Sequence, residues 1–315
     1  MAYDLNNRLV VGIASSALFD LKKSDKVFRE QGVAMYRDYQ ERRADKPLKP
    51  GVAFPFVKRL LALNDLATKE DPLVEVIVLS KNSPDTGLRV MRSIQHHDLP
   101  ITRAIFQQGR APHEFMKALN MSLFLSGNEE DVYSATAAGL PAGRALKSTF
   151  VDDGDSELRI AFDFDSVLAD DESERVMKTG DLHSFHEHER LNVATAHTPG
   201  PLQAFSQAIN RIRAREEQER ATNREYRIRL RVSIVTARNA PSHERAIRSI
   251  KEWGLLVNDA FFLGGIEKRK VLAVLRPHIF FDDQRDHLES ASMVPCVHVP
   301  FGIANEATAS AKTPG

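Results

Sequence analysis

The sequence predicts an α/β chain of two homologous halves with parallel sheets, the second half carrying the candidate site and a long charged insertion. Three observations lead there. Short apolar runs alternate with stretches of helical periodicity, the pattern of strand–helix–strand units. A long-period repeat relates the two halves. Several apolar runs also end in small polar or acidic residues, at the strand ends where ligands sit in such sheets.

In chain order, the strand candidates are Leu9–Ile13, Leu73–Leu79, Ser122–Leu125, Leu158–Phe162, Val232–Val235, His278–Phe281 and Val294–Val299. Each is an apolar run of the length that a buried strand needs. Apolar residues at helical spacing predict helices over Pro55–Leu63, Thr86–His96, His113–Leu119, Leu202–Arg213, His243–Trp253 and Lys270–Leu275. Arg211–Arg231, with its interleaved glutamates, reads as a solvated helix laced with ion pairs. Thr308–Gly315, small and polar, reads as a frayed tail.

Composition narrows the function classes. With 315 residues the chain has room for one large or two ordinary domains. Its 43 basic and 43 acidic side chains cancel, so no global field draws it to nucleic acid or an anionic membrane. No run is long and apolar enough to span a bilayer, and Met1–Arg8 lacks the apolar core of a signal peptide. A single cysteine, Cys296, forms no internal disulfide and suits a reducing compartment. The expectation is a cytoplasmic globular protein; a monomer and a homo-oligomer fit equally well.

The repeat is visible residue by residue. Ser80-Lys-Asn-Ser-Pro84 lies against Thr236-Ala-Arg-Asn-Ala240, and the same register carries Ala104-Ile-Phe106 onto Ala260-Phe-Phe262 and Leu123-Phe-Leu-Ser126 onto Ile279-Phe-Phe-Asp282. Upstream, Ile13-Ala-Ser15 matches Asp163-Phe-Asp165. The halves are expected at 1–150 and 151–315. Where the second has Asp163, Asp165, Asp282 and Asp283, the first has Ile13, Ser15, Ser126 and Gly127. Carboxylates able to hold a cation are therefore confined to the second half, while a hydroxyl persists at Ser80 opposite Thr236.

The central stretch is Leu158-Arg-Ile-Ala-Phe-Asp163-Phe-Asp165-Ser-Val-Leu168. Residues i and i+2 of a strand share a side, so Asp163 and Asp165 converge just past the strand end. Such a pair can hold a divalent cation, with one carboxylate attacking an electrophile and the other handling protons. Asp-x-Asp-x-Val, then a strand-terminal Thr236, then Lys268, then Asp282-Asp283 resembles the four-part pattern of the haloacid dehalogenase-like phosphohydrolases. That resemblance implies Rossmann-like halves. A closer one covers nearly the whole chain. Ala161–Leu168 with Asp171-Glu-Ser-Glu174, Val235–Pro241 with His243-Glu-Arg245, Ala260–Gly265, Arg276–Gln284, Pro47–Gly51 and Ser126–Asp131 resemble the cytosolic 5′-nucleotidase type I family. One departure is Phe164, where a small residue is expected between the aspartates.

The resemblance implies a magnesium-dependent hydrolase of nucleoside 5′-monophosphates, notably AMP. Asp163 would attack phosphorus to give an aspartyl-phosphate, and Asp165 would protonate the leaving oxygen and then activate water. Mg²⁺ would be held by Asp163, the Asp165 carbonyl, Asp282 and Asp283. Thr236, the backbone N–H groups of Ala237 and Arg238, and Lys268 would neutralise the phosphoryl oxygens. Lys270 is the rival to Lys268; the family register favours Lys268. A sugar-phosphate phosphatase of the same superfamily and a non-catalytic nucleotide-sensing protein are the alternative readings.

An insertion over about 171–228 is expected to form a cap that excludes water and chooses the leaving group. Within it, Asp171 and Glu172 are candidate substrate contacts. His183, His186 and His188 suggest zinc, but no cysteine accompanies them and no fourth ligand is evident. In the first half, Ser15-Ser16, Ser80-Lys81-Asn82 and Ser126-Gly-Asn128 keep groups that hydrogen-bond an anion without a metal. That half either binds a nucleotide effector, shapes the substrate pocket, or serves only structure and dimer formation.

Overall fold

Leu9-Val-Val-Gly-Ile13 forms β1 and is buried throughout, as a strand covered on both faces must be. A computed structural model of the chain describes residues 3–306; the expected frayed tail, Thr308–Gly315, lies outside them. The chain divides into two units, Met1–Leu140 and Pro141–Gly315. In the first unit β1 pairs in parallel with β2 (Val74–Ser80) and with β4 (Leu123–Ser126), and β2 pairs in parallel with β3 (Arg103–Phe106). Its helices are α1 (Ser15–Leu18), α2 (Lys22–Glu41), α3 (Phe54–Ala62), α4 (Pro84–His96) and α5 (Glu129–Ala137). Local chemistry sets two starts: Ser83 caps α4 by accepting from the Thr86 N–H, with Pro84 in the first turn, and Asn128 caps α5 by accepting from the Asp131 N–H.

The second unit holds β5 (Ala142–Ala145), β6 (Leu158–Phe162), β7 (Leu230–Thr236), β8 (Asp259–Phe262), β9 (Ile279–Asp282) and β10 (Cys296–His298). Their order is β5-β10-β9-β6-β7-β8, parallel except where β5 meets β10. Ala161, Val235, Leu272, Phe280 and Leu288 form one core cluster. The alternate residues turn the other way, where Phe162 stacks on Phe281 at 5.2 Å and Phe205 meets both rings at a tilt. Between β6 and β7 lie α6 (Glu172–Thr179), α7 (Leu182–Leu191) and α8 (Gln203–Thr222). This excursion is pinned where it rejoins: Ala169 bridges Pro199, and the Gly200 N–H donates to the Leu168 carbonyl at 2.8 Å. A Cβ on Gly200 would lie 2.2 Å from the Ala169 oxygen, so no other residue allows the approach. Helices α9 (His243–Glu252), α10 (Lys268–Leu275) and α11 (Arg285–Ser290) complete the unit. Among the described residues no helix is long and apolar enough to cross a membrane.

Each expected strand forms, with ends moved by one or a few residues. The sequence reading missed β3, β5 and β8. β3 and β8 end the strand order and are only partly buried, so they lack the apolar run of an interior strand. His113–Leu119 is not an α-helix. A short 3-10 turn over Pro112–Phe115 passes into turns that end at Asn120, whose φ of 51° stops helical continuation. Helices α2, α5, α6 and α7 were missed too, because their polar faces outweigh the apolar stripe.

The solvated helix expected over Arg211–Arg231 is also corrected: α8 ends at Thr222, and β7 begins at Leu230. Glu216 is fully buried, accepting from the Tyr226 hydroxyl at 2.9 Å and from the N–H groups of Arg229 and Leu230 at 2.7 and 3.2 Å. This carboxylate ties the end of the excursion to the start of β7. Glu216→Ala strands these donors and should destabilise the protein by about 2–4 kcal/mol. A fall in the urea midpoint, smaller in Glu216→Gln, is the expected measurement.

Candidate active site

Parallel register brings strand ends together. Phe162 of β6 lies opposite Phe281 of β9, so Asp163 and Asp282 stand side by side at the carboxyl edge of the sheet. Lys268 opens α10 after a turn at Gly264 and Gly265, whose φ values of 55° and 89° suit glycine. Its ammonium lies 2.6 Å from Asp163 Oδ2 and 2.7 Å from Asp282 Oδ2. Lys270, by contrast, is exposed. Burial would lower the Lys268 pKa, but the two carboxylates outweigh it and hold the ammonium charged.

The acidic groups differ in their environments. Burial pushes the Asp163 carboxyl up to about 7 against the pull of Lys268, with Asp282 and Asp165 adding to the rise. Asp282 is equally buried, yet Lys268 and His287 hold its carboxyl below the usual range. It also accepts from the Gln284 N–H at 2.8 Å, and His287 Nδ1 lies 3.3 Å away. Asp283 is the outlier: both of its carboxylate oxygens are buried without a hydrogen-bond partner. Burial, then Asp282, Glu174 and Asp163, push its carboxyl well above the usual range. Its backbone is nonetheless fixed, because the Asp283 carbonyl accepts from Asn305 Nδ2 at 3.1 Å and lies 3.0 Å from His298 Nε2.

Three carboxylates thus face one ammonium in a site closed to water, and an unpaired buried carboxylate is costly. An oxygen-rich set of this kind suits a hard divalent cation. Asp163, Asp282 and His287 offer ligand atoms all within 4.8 Å of one another. Asp152, Asp153 and His278 form a second acidic group, but Arg159 already pairs with Asp153 at 2.6 Å.

Asp165 belongs to a different network. Arg238, two residues past Thr236, grips it with both arms, Nε to Oδ2 at 2.8 Å and Nη2 to Oδ1 at 2.6 Å. The same guanidinium bonds Glu189 of α7 and the Ser242 carbonyl. Glu189 is wholly buried and collects Ser173 at 2.7 Å, Arg245 at 3.0 Å and His197 at 3.2 Å. Burial would raise its carboxyl, but His197 and Arg238 hold it far below the usual range. Phe164 fits here. It is fully buried, stacks on Trp253 at 6.0 Å and lies under the Arg238 guanidinium at 5.1 Å.

The remaining expected residues sit as follows. Thr236 is buried at the end of β7, its hydroxyl accepting from the Arg238 N–H at 3.3 Å, and Ala237 beside it is exposed. Asp171 accepts from the Ile303 N–H at 2.8 Å and pairs with Arg175, while Glu172 pairs with Arg245 at 3.1 Å. Glu174, one turn on, reaches the carboxylate cluster instead. It accepts from Ser166 Oγ at 2.7 Å and from Gln284 at 3.3 Å. His186 lies 2.9 Å from Asn239 Oδ1, and His188 lies 3.5 Å from Glu172. Sequence reasoning missed Glu189, His197, Arg245 and His287; only the concentration of His and Glu in Leu182–Leu191 hinted at the first.

Comparison with known proteins adds to this geometry. The family model for 5′-nucleotidase matches residues 1–306. Human cytosolic 5′-nucleotidase 1B is 32% identical over 296 residues, covering 90% of this chain and 47% of the human one. The chain therefore spans about half the length of that curated relative. No solved structure matches it.

Because the Asp283 carboxyl is raised, it is protonated in folded and unfolded chains alike only below the ordinary carboxylate range, and it costs more stability as pH rises above that range. In cation-free buffer Asp283→Asn should therefore be more stable than the wild type, by about 1 kcal/mol or roughly 2–4 °C at neutrality. The advantage should shrink towards pH 4. Thermal unfolding of both proteins across that range is the check.

Proposed function

The chain belongs to the 5′-nucleotidase family, and on that premise we propose that its second unit hydrolyses nucleoside 5′-monophosphates, AMP foremost, to nucleoside and phosphate. The observation that carries the reading is the buried Lys268 ammonium bridging Asp163 and Asp282, with the unsatisfied Asp283 beside them. We read the two units as copies of one haloacid dehalogenase-like fold, with α6–α8 as the cap. The common strand order β3-β2-β1-β4 and β8-β7-β6-β9 supports this. The word cytosolic in the relative's name supports a cytoplasmic setting.

Asp163, Asp282, Asp283 and the Asp165 carbonyl would hold Mg²⁺. Bound there, the ion would draw charge from the phosphoryl oxygens and offset the surplus of carboxylates. Asp163 attacks phosphorus; the P–O5′ bond breaks as a P–O bond to the carboxylate forms, giving an aspartyl-phosphate. Asp165 supplies the proton that the leaving ribose oxygen needs. In the free protein Arg238 grips both Asp165 carboxyl oxygens, and a phosphate arriving beside Arg238 competes for that guanidinium. Asp165 then removes a proton from the water that cleaves the acyl-phosphate. Lys268 and the Thr236 hydroxyl steady the oxygens as charge moves.

Phosphate release from nucleoside monophosphates and sugar phosphates, with Mg²⁺ or with EDTA, tests the reading. AMP should be cleaved only with Mg²⁺; preference for a sugar phosphate would instead favour the related phosphatase. Asp163→Asn should lose activity by on the order of 10⁴ or more, and Thr236→Val by about 10²–10³. Cation-replete protein that leaves every nucleotide untouched would overturn it.

A further inference from the structure

At the carboxyl ends of its parallel strands the first unit has a cleft of about 600 Å³. Its floor comes from the residues just beyond β1 and at the end of β2, and one wall is α2. Ser15 and Ser80, 4% and 3% exposed, meet on that floor with their hydroxyl oxygens 3.1 Å apart. Both oxygens also accept from Asn82, Ser15 from the side-chain amide at 3.4 Å and Ser80 from the backbone N–H at 3.3 Å. The two hydroxyls carry two protons, and their mutual bond uses one. The other has no protein acceptor among the described residues and is left to donate to a ligand in the cleft.

The charges favour an anion. Arg29 and Arg37 line the cleft against Asp25, while Lys81 is taken up by Asp131 at 2.7 Å and Glu130 at 3.3 Å. Ser15 and Ser80 stand where the second half has Asp165 and Thr236, so the floor offers hydroxyls and no carboxylate at these two positions. The wall is of another character. Phe28 and Val33 leave 48% and 60% of their surface exposed along it, and Tyr36 meets Phe28 edge-on at 5.7 Å. The Tyr36 hydroxyl donates to Asn82 Oδ1 at 3.1 Å, tying wall to floor. Donors below and exposed rings beside them suit a ligand with an anionic end and a flat apolar one.

We propose that this cleft is a second binding site that takes a nucleoside monophosphate without a cation and without hydrolysing it, the phosphate on Ser15 and Ser80 and the base along Phe28 and Val33. Only the choice of a nucleoside over another flat ring rests on the nucleotidase reading. With Ile13 in the place of Asp163, the floor has no carboxylate to accept the phosphoryl group, and among the described residues no carboxylate or imidazole is bonded to the Ser15 and Ser80 hydroxyls to activate them.

Calorimetry with AMP on the full chain carrying Asp163→Asn, in EDTA, tests this. Binding is expected without metal, weakened about 10-fold or more by adding Ser80→Asp, which sets a like charge under the phosphate. Phe28→Ala, on an exposed face that folding tolerates, should weaken it by about 3–10-fold. Inorganic phosphate and adenosine should each compete, and each more weakly than AMP itself. Absence of metal-free binding, or binding that neither substitution alters, would overturn the site. Hydrolysis of AMP with Mg²⁺ by the Ser80→Asp protein is expected at the wild-type rate and separates the two readings. Turnover without metal-free binding defeats the cleft alone, and metal-free binding without turnover defeats the nucleotidase reading alone.

Discussion

One buried ammonium organises the second unit. Lys268 sits between Asp163 and Asp282, at 2.6 and 2.7 Å, in a place closed to water. A lysine so buried stays charged only because two carboxylates converge on it, and they are tolerable only because it is there. The convergence depends on the sheet. It needs β6 and β9 paired in the observed register, and a left-handed turn at Gly264–Gly265 that returns the chain over the strand ends. A slip of one residue would turn Asp163 or Asp282 into the opposite layer. Asp283 is left outside this balance, which makes it the residue with most to gain from a cation.

A second buried network joins α7 to the strand ends. Glu189 of α7 gathers His197, Arg238 and Arg245, and Arg238 grips Asp165. α7 is therefore held by charge-assisted bonds to Arg238 and Arg245, as well as by apolar packing. Phe164 belongs to this design. A smaller residue between the aspartates would leave the Arg238 guanidinium without the ring beneath it and Trp253 without its stacking partner.

The two units use the same strand ends differently. In the second, carboxylates follow β6 and β9; in the first, hydroxyls stand at Ser15, Ser80 and Ser126. Exchanging acceptors that are negative for donors that are neutral changes the charge a site can take. A carboxylate cluster suits a cation, whereas neutral hydroxyl donors suit an anion.

By itself the sequence determined the α/β character and the strands that carry apolar runs. Apolar runs such as Leu9–Ile13 and Leu158–Phe162 admit one role, and Asp163, Lys268 and Asp282 stand at strand or helix ends that a parallel sheet gathers at one edge. Edge strands were illegible because Arg103–Phe106 and Asp259–Phe262 are half exposed and carry no burial pattern. Glu189, Glu216 and His197 were illegible for the opposite reason: a polar residue in a charged stretch looks solvated until its partners are known. Those partners lie as many as 56 residues away. Only the tertiary structure decides which carboxylates are paired, which are orphaned and which hold an arginine, because the cost of burying a charge is set by neighbours that the fold supplies and the chain order does not.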